Sequence, residues 1–342
     1  MTNYVNSQYT VRVELGSPPQ TLQAIPDTGS YELLVASTAC EDDCGGGNHT
    51  LFDAATSSTL LYSSGNGGAL GQYTSYGQGE VLSVLVTDTV SVGGMFVNNV
   101  PFLMMLQNEL KDFDYASYDA IMGIGPFASA NIPSEDHERP RPSIMSAMNI
   151  TSVGVCLSQL DGANGRLDLN GGVPGLTYTP FPSIGQYHWG LSVSGITANG
   201  HSFGCARPPY CAAIVDSGTS LITLPTPLLT ELTPLMNSVK ADCSNMHELP
   251  TLYLSVNGRE LKLPPQLWVM RVQDSPVVKK AVYNIPGYKS MALPFYTGQY
   301  ADECFPAIEA VRTSPHRTPL LPTRGLRSPE LTALCVRRRW IR

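Results

Sequence analysis

Apolar residues occur along this chain in short runs, rich in valine, threonine and tyrosine, that alternate with glycine and proline turns. Runs of this kind are typical of β-strands joined by tight turns, so an all-β protein with a few short helices is predicted. Helices are predicted over 143–148 and 225–238. No apolar run approaches the about 20 residues that a membrane-spanning helix needs, so no membrane segment is predicted.

Two of the predicted strands end in nearly the same letters. Ala24–Ser30 reads Ala-Ile-Pro-Asp-Thr-Gly-Ser, and Ala213–Thr219 reads Ala-Ile-Val-Asp-Ser-Gly-Thr. An isolated Asp-hydroxyl-Gly sequence is most often an ordinary turn. Two copies, each after an apolar strand, instead predict a catalytic pair, Asp27 and Asp216. Two carboxyl groups held close together share a proton, so that one serves as a base while the other serves as an acid.

The residues beside each aspartate fit this chemistry. Six of them are predicted to support the pair: Thr28, Gly29, Ser30, Ser217, Gly218 and Thr219. Each glycine allows the backbone to come close and its amide to face a carboxylate. The first hydroxyl residue of each loop is expected to hydrogen-bond to the opposite loop. The second is expected to donate to an aspartate oxygen.

With these motifs the chain resembles the pepsin-like aspartic proteases, from about Tyr9 to about Val269. Five further stretches carry the resemblance: the hairpin 9–20, the flap tip 75–79, the strand and turn 88–94, the apolar strand 118–125, and the second active-site strand with its exit, 214–225. The resemblance implies a fold of two pseudo-symmetric β lobes. It also implies hydrolysis of peptide bonds, without metal or cofactor, by a water molecule that two aspartates activate at acidic pH.

The resemblance and the length together predict the domain organisation, since 342 residues exceed the usual size of one core. Residues 1–165 would form the first lobe, with Asp27 and the flap, and residues 166–304 the second, with Asp216. Up to residue 304 the chain has 26 acidic and 13 basic residues, whereas residues 305–342 have 8 arginines and 2 glutamates. That tail is predicted to be disordered, or a mis-spliced or frame-shifted end.

The resemblance also suggests how substrate binds. A protein or peptide would lie extended in the cleft between the lobes, with Tyr76 and Gly77 of the flap above it. His188-Trp189 resembles a wall of this cleft, although Trp189 fits a core position equally well. Both half-sites lie in one chain, so a monomer is predicted. Nothing indicates nucleic-acid binding, because the only basic segment is the tail.

Eight cysteines permit many pairings. The short loops Cys40–Cys44 and Cys205–Cys211 match places where pepsin-like enzymes have small disulfide loops. Cys243 would pair with a later cysteine, and Cys304 is the natural candidate. Metal binding by these cysteines is disfavoured, because no further ligands lie near them at a suitable spacing. Cys156 and Cys335 have no evident role in the family.

Disulfides and two glycosylation sequons, Asn48-His49-Thr50 and Asn149-Ile150-Thr151, favour the secretory route. The expected location is outside the cell or in an acidic vacuolar or lysosomal compartment. The sequence starts near the mature N-terminus that the resemblance implies. No signal peptide or propeptide is therefore identified, and the chain is expected to be a fragment or a trimmed form.

Three departures from the family pattern affect the prediction. Leu34 stands where the family usually has a tryptophan that hydrogen-bonds the flap tyrosine. Pro26 removes a backbone donor from a strand that should be central. A second apolar-apolar-Gly strand, the counterpart of Ile121-Met122-Gly123, should cross beneath Asp216, but no such sequence is found. The second lobe is therefore predicted to be incomplete.

Two other functions compete with proteolysis. The first is a catalytically impaired relative that binds proteins, which the incomplete second lobe favours but the intact Asp-hydroxyl-Gly motifs do not. The second is a glycosidase with two carboxyl groups, which would not explain the matched loops around Asp27 and Asp216.

Overall fold

Strands dominate the structure, a computed structural model of the chain. It describes residues 1–4, 8–41, 44–45, 49–65, 68–69, 71–76, 79–110, 113–126, 143–158, 164–171, 180–184, 188–206, 211–273, 302–310 and 333–337. The first half contains β1 (Thr2–Tyr4), β2 (Gln8–Leu15), β3 (Gln20–Asp27), β4 (Leu33–Val35), β5 (Leu61–Tyr62), β6 (Ser64–Gly65), β7 (Gly68–Ala69), β8 (Gly71–Tyr76), β9 (Gly79–Val92), β10 (Met95–Asn108), β11 (Ala120–Gly123), β12 (Val153–Ser158) and β13 (Arg166–Leu169). The second half contains β14 (Gly190–Ala198), β15 (His201–Phe203), β16 (Cys211–Ile214), β17 (Ile222–Leu224), β18 (Leu252–Val256), β19 (Arg259–Leu263), β20 (Val269–Gln273), β21 (Asp302–Pro306), β22 (Ile308–Ala310) and β23 (Ala333–Arg337).

The described residues include three short α-helices, and two of them lie where the sequence predicts a helix. They are α1 (Ile144–Ala147), α2 (Thr226–Met236) and α3 (Pro265–Trp268). The Ser143 hydroxyl accepts a hydrogen bond from the backbone N–H of Ser146 and so caps the start of α1. The sequence analysis missed α3, a single turn that begins at Pro265, the second of two consecutive prolines. No helix in the part of the chain that the structure describes is long and apolar enough to cross a membrane.

The main sheet of the first lobe places β3 in its interior. The strand order is β1-β2-β3-β11-β4-β10-β9-β5, and β8 pairs with β9. β11 runs parallel to β3 and antiparallel to β4, so it fills the space between the two strands that flank the first aspartate loop. The register places Gly123 beside Asp27. β4 in turn pairs in parallel with β10.

The second lobe repeats part of this arrangement. β14 lies between β15 and β18 in a sheet that continues to β19, and β16 pairs antiparallel with β14. β17 pairs in parallel with β22, as β4 does with β10. β20 and β21 form an antiparallel pair. The all-β architecture with two similar lobes is therefore confirmed.

Apolar side chains form a separate main cluster in each lobe. The larger one fills the first lobe and includes Trp189 from the second half of the chain. The Trp189 side chain is only 1% exposed, and its indole N–H donates to the carbonyl of Ile124 at 3.2 Å. Trp189 is therefore a core residue that connects the two halves. The second cluster packs β14 and β18 against α2 and Trp268.

The structure changes the prediction for the C-terminal tail. Residues 305–310 were assigned to a disordered segment, but they lie in β21 and β22. Phe305 and Ile308 are both buried. Burial of these apolar side chains stabilises the two strands, although the composition of the chain changes at this point. Further along, β23 pairs in parallel with β12. Residues 311–332 and 338–342 lie outside the described residues, and the predicted disorder there stays a prediction.

Candidate active site

Asp27 is the last residue of β3, and the strand delivers it to the loop in a buried position. The four residues from Ala24 to Asp27 are all buried, and Asp27 is 8% exposed. β2 pairs with β3 only as far as Ala24, so Pro26 lies beyond that ladder and its missing N–H does not interrupt it. The predicted conflict between Pro26 and a central strand therefore does not arise on the β2 side.

Asp216 follows β16 in the second lobe. The backbone N–H of Val215 donates to the carbonyl of Trp189 at 2.9 Å, which fixes the residue just before the aspartate. The surroundings are more open than in the first lobe, because Asp216 and Ser217 are half-buried whereas Asp27 and Thr28 are buried. The two aspartates thus have matched sequences but unequal burial.

Four hydrogen bonds cross between the two aspartate loops, and they follow the pattern that the sequence predicts. The backbone N–H of Thr28 donates to Ser217 Oγ at 3.1 Å, and that of Ser217 donates to Thr28 Oγ1 at 2.8 Å. The Thr28 hydroxyl donates to the Val215 carbonyl at 2.7 Å. The Ser217 hydroxyl donates to the Pro26 carbonyl, also at 2.7 Å. Each loop therefore holds the other in place.

The two glycines bring the carboxyl groups together. The N–H of Gly29 donates to Asp27 Oδ1, and that of Gly218 donates to Asp216 Oδ1, both at 2.8 Å. A Cβ atom on Gly29 would lie 2.9 Å from the Asp216 carboxyl, and one on Gly218 would lie 2.5 Å from Asp27 Oδ1. Glycine is therefore required at both positions by close approach. Thr219 Oγ1 donates to Asp216 Oδ2 at 2.6 Å, as predicted.

Burial, the nearby charge of Asp216 and a hydrogen bond between the two carboxyl groups, in decreasing order of effect, raise the pKa of Asp27 to about 7. The Ser30 hydroxyl and the Gly29 N–H act in the opposite direction. The interaction predicted for Ser30 lacks the geometry of a standard hydrogen bond, although the hydroxyl lies close enough to lower this pKa. The raised pKa means that the pair retains a proton well above the ordinary range of an aspartate.

This pKa gives a prediction for stability. The carboxyl group of Asp27 is protonated more readily in the folded than in the unfolded chain, so its contribution to stability is greatest below about pH 4 and is lost as the pH rises towards 7. Asparagine stays neutral at every pH. We expect Asp27→Asn to raise the free energy of unfolding by roughly 2–4 kcal/mol at pH 7, and much less at pH 4. Urea unfolding at the two pH values measures the difference.

Asp242→Asn is the control for this experiment. Asp242 is exposed, and a hydrogen bond from the backbone of Ser244 lowers its pKa, the opposite of the shift at Asp27. Its replacement should shift stability equally at both pH values. If Asp27→Asn also gave equal shifts, the two carboxyl groups would not share a proton.

The predicted flap is a hairpin of β8 and the start of β9. Tyr76 pairs with Gly79 at the turn, and the Ser75 hydroxyl donates to Glu80 Oε1 at 2.9 Å. Gly77, the other predicted flap residue, lies outside the described residues. A Cβ atom on Gly79 would lie 2.1 Å from the Glu109 carbonyl, so this glycine lets the hairpin contact the end of β10 next to its turn. The flap is therefore anchored on the first lobe.

Leu34 shows what replaces the expected tryptophan near the flap. Its side chain is fully buried, in an apolar cluster with Ile25 and Phe113, and Tyr76 packs against the same cluster. Leucine supplies apolar contact at this position but no hydrogen-bond donor. The flap tyrosine is therefore positioned by packing rather than through an indole N–H.

Two residues near the aspartates had no role in the sequence analysis. Burial raises the pKa of the Tyr118 phenol, and the charge of Asp27 adds to the effect, which keeps Tyr118 neutral. Tyr31, just after the first aspartate loop, lies with its hydroxyl 3.4 Å from His188 Nδ1 of the second half. For each residue the sequence contained one available signal: Tyr31 directly follows the Asp27 loop, and Tyr118 lies just before β11. Aromatic residues are common in protein cores, however, so the signal was weak.

Among the described residues, three disulfides join the cysteines that the resemblance pairs: Cys40–Cys44, Cys205–Cys211 and Cys243–Cys304. The second joins Cys205 to the first residue of β16, the strand that leads to Asp216. The third connects the segment after α2 to β21, where the N–H of Cys304 also donates to Ala241. Two of the three thus constrain the second lobe.

Comparison with known proteins agrees with this architecture. The family model of the eukaryotic aspartyl protease matches residues 8–285. Pepsin A of Canis lupus familiaris is 27% identical over 311 residues, which cover 87% of this chain and 76% of the relative. Gastricsin of Mus musculus is 27% identical over 309 residues, covering 86% and 74%, and pepsin A of Gallus gallus is 28% identical over 309 residues, covering 87% and 78%. The chain belongs to the eukaryotic aspartyl protease family.

Proposed function

We propose that this chain is an endopeptidase in which Asp27 and Asp216 activate a water molecule. The observation that carries the proposal is the contact of the two carboxyl groups, which the crossed bonds between their loops maintain. The ionised carboxyl takes a proton from the water as its oxygen attacks the scissile carbonyl carbon. The protonated carboxyl donates its proton to the carbonyl oxygen, giving a tetrahedral intermediate.

The raised pKa of Asp27 supports a division of roles. A carboxyl that keeps its proton to about pH 7 is available as the acid under acidic conditions. Asp216 is more open to solvent, and its carboxyl oxygens accept hydrogen bonds from the Gly218 N–H and the Thr219 hydroxyl. Asp27 is thus the proposed acid and Asp216 the proposed base in the attack step, and the roles reverse as the intermediate collapses.

The proposed substrate is a peptide segment that lies extended between the two lobes. Its backbone would bond to the cleft as an added strand. Tyr76 and Gly77 at the tip of the flap would cover it and exclude water, a gating role. Tyr31 and His188 meet across the two halves of the chain, so in this proposal they would border the cleft.

The same chemistry suggests where the protein works. Three disulfides and the exposed sequon at Asn149 suit the secretory route, and the sequon asparagine Asn48 lies outside the described residues. A pair that must keep one proton works best in acid. We therefore propose a secreted enzyme or one of an acidic vacuolar or lysosomal compartment. A monomer suffices, because one chain provides both aspartates.

Cleavage of an unfolded protein tests the proposal. We expect fragments at about pH 4, with a rate that falls as the pH rises towards 7, because the pair then loses its shared proton. Fragments separated by mass identify the cleaved bonds. If the protein is folded and soluble yet cleaves nothing between about pH 3 and pH 7, proteolysis by this chain is excluded.

A protein-binding role without catalysis is the second candidate. The observation that favours it is the more open setting of Asp216 in a lobe whose β16 pairs, among the described residues, with β14 alone. A chain of this kind would bind an extended peptide but leave it intact. Binding of an unfolded protein at about pH 4 without the appearance of fragments would support this candidate.

A further inference from the structure

The first lobe shows how an aspartate loop is supported from both sides. β11 lies between β3 and β4, and its backbone binds the loop that joins them. The N–H of Ile124 donates to the Asp27 carbonyl at 2.7 Å, and that of Gly123 donates to the Glu32 carbonyl at 2.9 Å. Ile121 lies beside Ile25 in the register, and both are buried in one apolar cluster.

The second lobe has the same two strands around its loop. β4 begins six residues after Asp27, and β17 begins six residues after Asp216. β4 pairs in parallel with β10, and β17 pairs in parallel with β22. Among the described residues, however, no strand pairs with both β16 and β17 as β11 pairs with β3 and β4. We call the position between β16 and β17 the second-lobe slot.

Burial shows that the second-lobe slot leaves apolar surface uncovered. Ile25 and Ile214 both lie two residues before their aspartate, yet Ile25 is 6% exposed and Ile214 is 54% exposed. The same difference appears on the other side of the slot, where all three residues of β4 are buried but none of β17 is. The two borders of the slot therefore lack the cover that β11 gives their counterparts.

The segment of this chain that corresponds in position to β11 does not have a sequence suited to the second-lobe slot. β11 begins at Ala120, 17 residues after Leu103, which pairs with Leu34 of β4. Glu309 occupies the place of Leu103 opposite Thr223 of β17. The segment that begins 17 residues after Glu309 is Leu326-Arg327-Ser328-Pro329. A charged residue and a proline are unsuited to a strand enclosed between two others.

We propose that the second-lobe slot is a docking site for an extended segment of another polypeptide, in which two apolar residues precede a glycine. The apolar residues would cover Ile214, and the backbone would bond to both borders, as β11 does. The glycine is needed because a Cβ atom on Gly123 would lie 2.4 Å from the backbone nitrogen of Tyr31. The loop after Asp216 has the same length, so an equally close approach is expected there.

A synthetic peptide with the sequence of residues 118–125, extended by lysines for solubility, tests the proposal. The protein carries Asp27→Asn, so the peptide stays intact and the result does not depend on proteolysis. We expect saturable binding by fluorescence anisotropy, one peptide per chain, with new protection of the β16 and β17 amides from hydrogen exchange. A peptide with Gly123→Val should bind at least about tenfold more weakly, because the added side chain blocks the close approach.

Variants of the protein locate the binding site. Ile214→Lys should weaken binding at least about tenfold, since it removes the apolar border of the slot. Phe96→Lys, a change at another strongly exposed apolar residue, should leave binding unchanged. Binding that is insensitive to Ile214→Lys would place the peptide in the substrate cleft and overturn the proposal. So would the absence of binding. Protection, without peptide, of the β16 amides that do not bond to β14 would also overturn it, because the chain would then fill the slot itself.

Discussion

Asp27→Asn is expected to lower kcat/KM for a protein substrate at about pH 4 by about 10³-fold or more. The asparagine amide cannot hold the shared proton or transfer it to the scissile carbonyl. Its side chain has nearly the same shape, so the bonds between Thr28 and Ser217 should persist. The loss would therefore be one of chemistry, and it corresponds to about 4 kcal/mol of transition-state stabilisation. Initial rates of peptide release, measured over a range of substrate concentrations, give the change.

Asp242→Asn provides the matched comparison for activity. It makes the same chemical change at an exposed aspartate, whose carboxylate accepts a hydrogen bond from the backbone N–H of Ser244. Its kcat/KM should stay within about twofold of the unmodified chain. Retention of more than a tenth of the activity by Asp27→Asn would show that cleavage does not depend on the pair, provided that circular dichroism shows both variants folded.

The local sequence was sufficient to predict the hydrogen bonds that cross between the two aspartate loops. Thr28 and Ser217 each follow an aspartate at the end of an apolar strand, and their hydroxyl groups have only a short reach. Once the two strands are brought together, the backbone of the opposite loop is the partner within that reach. The roles of the glycines are predicted in the same way, because a residue without a Cβ atom lets the opposite carboxyl group come close. These features depend on few residues.

Pairing between distant segments was harder to predict. Composition changes after Cys304, yet Phe305 and Ile308 are buried in strands, because a partner such as β17 can accept any short apolar stretch that reaches it. The unequal burial of Ile25 and Ile214 shows the same limit. The two residues have the same identity and the same local sequence, and only the neighbouring strand differs. The sequence pattern shows which residues are apolar and favour burial, but it does not show whether a neighbouring strand buries them.

Gly123→Ala is expected to produce the largest loss of stability. A Cβ atom at this position would lie 2.4–2.6 Å from backbone atoms of Tyr31 and Glu32, in the loop that follows Asp27. Backbone cannot rotate away as a side chain can, so β11 or the loop must shift. We expect the free energy of unfolding to fall by about 3 kcal/mol or more. We also expect kcat/KM to fall by about 10²-fold, because Asp27 moves with the loop.

Gly171→Ala separates this steric effect from the general effect of replacing glycine. No atom lies within 4 Å of a Cβ atom on Gly171, so its stability should change by less than about 0.5 kcal/mol. Urea unfolding measures both variants, and peptide release measures their activity. If Gly123→Ala were as stable and as active as Gly171→Ala, β11 would not support the first aspartate. The second-lobe slot would then lose its physical basis, because the counterpart that defines it would be dispensable.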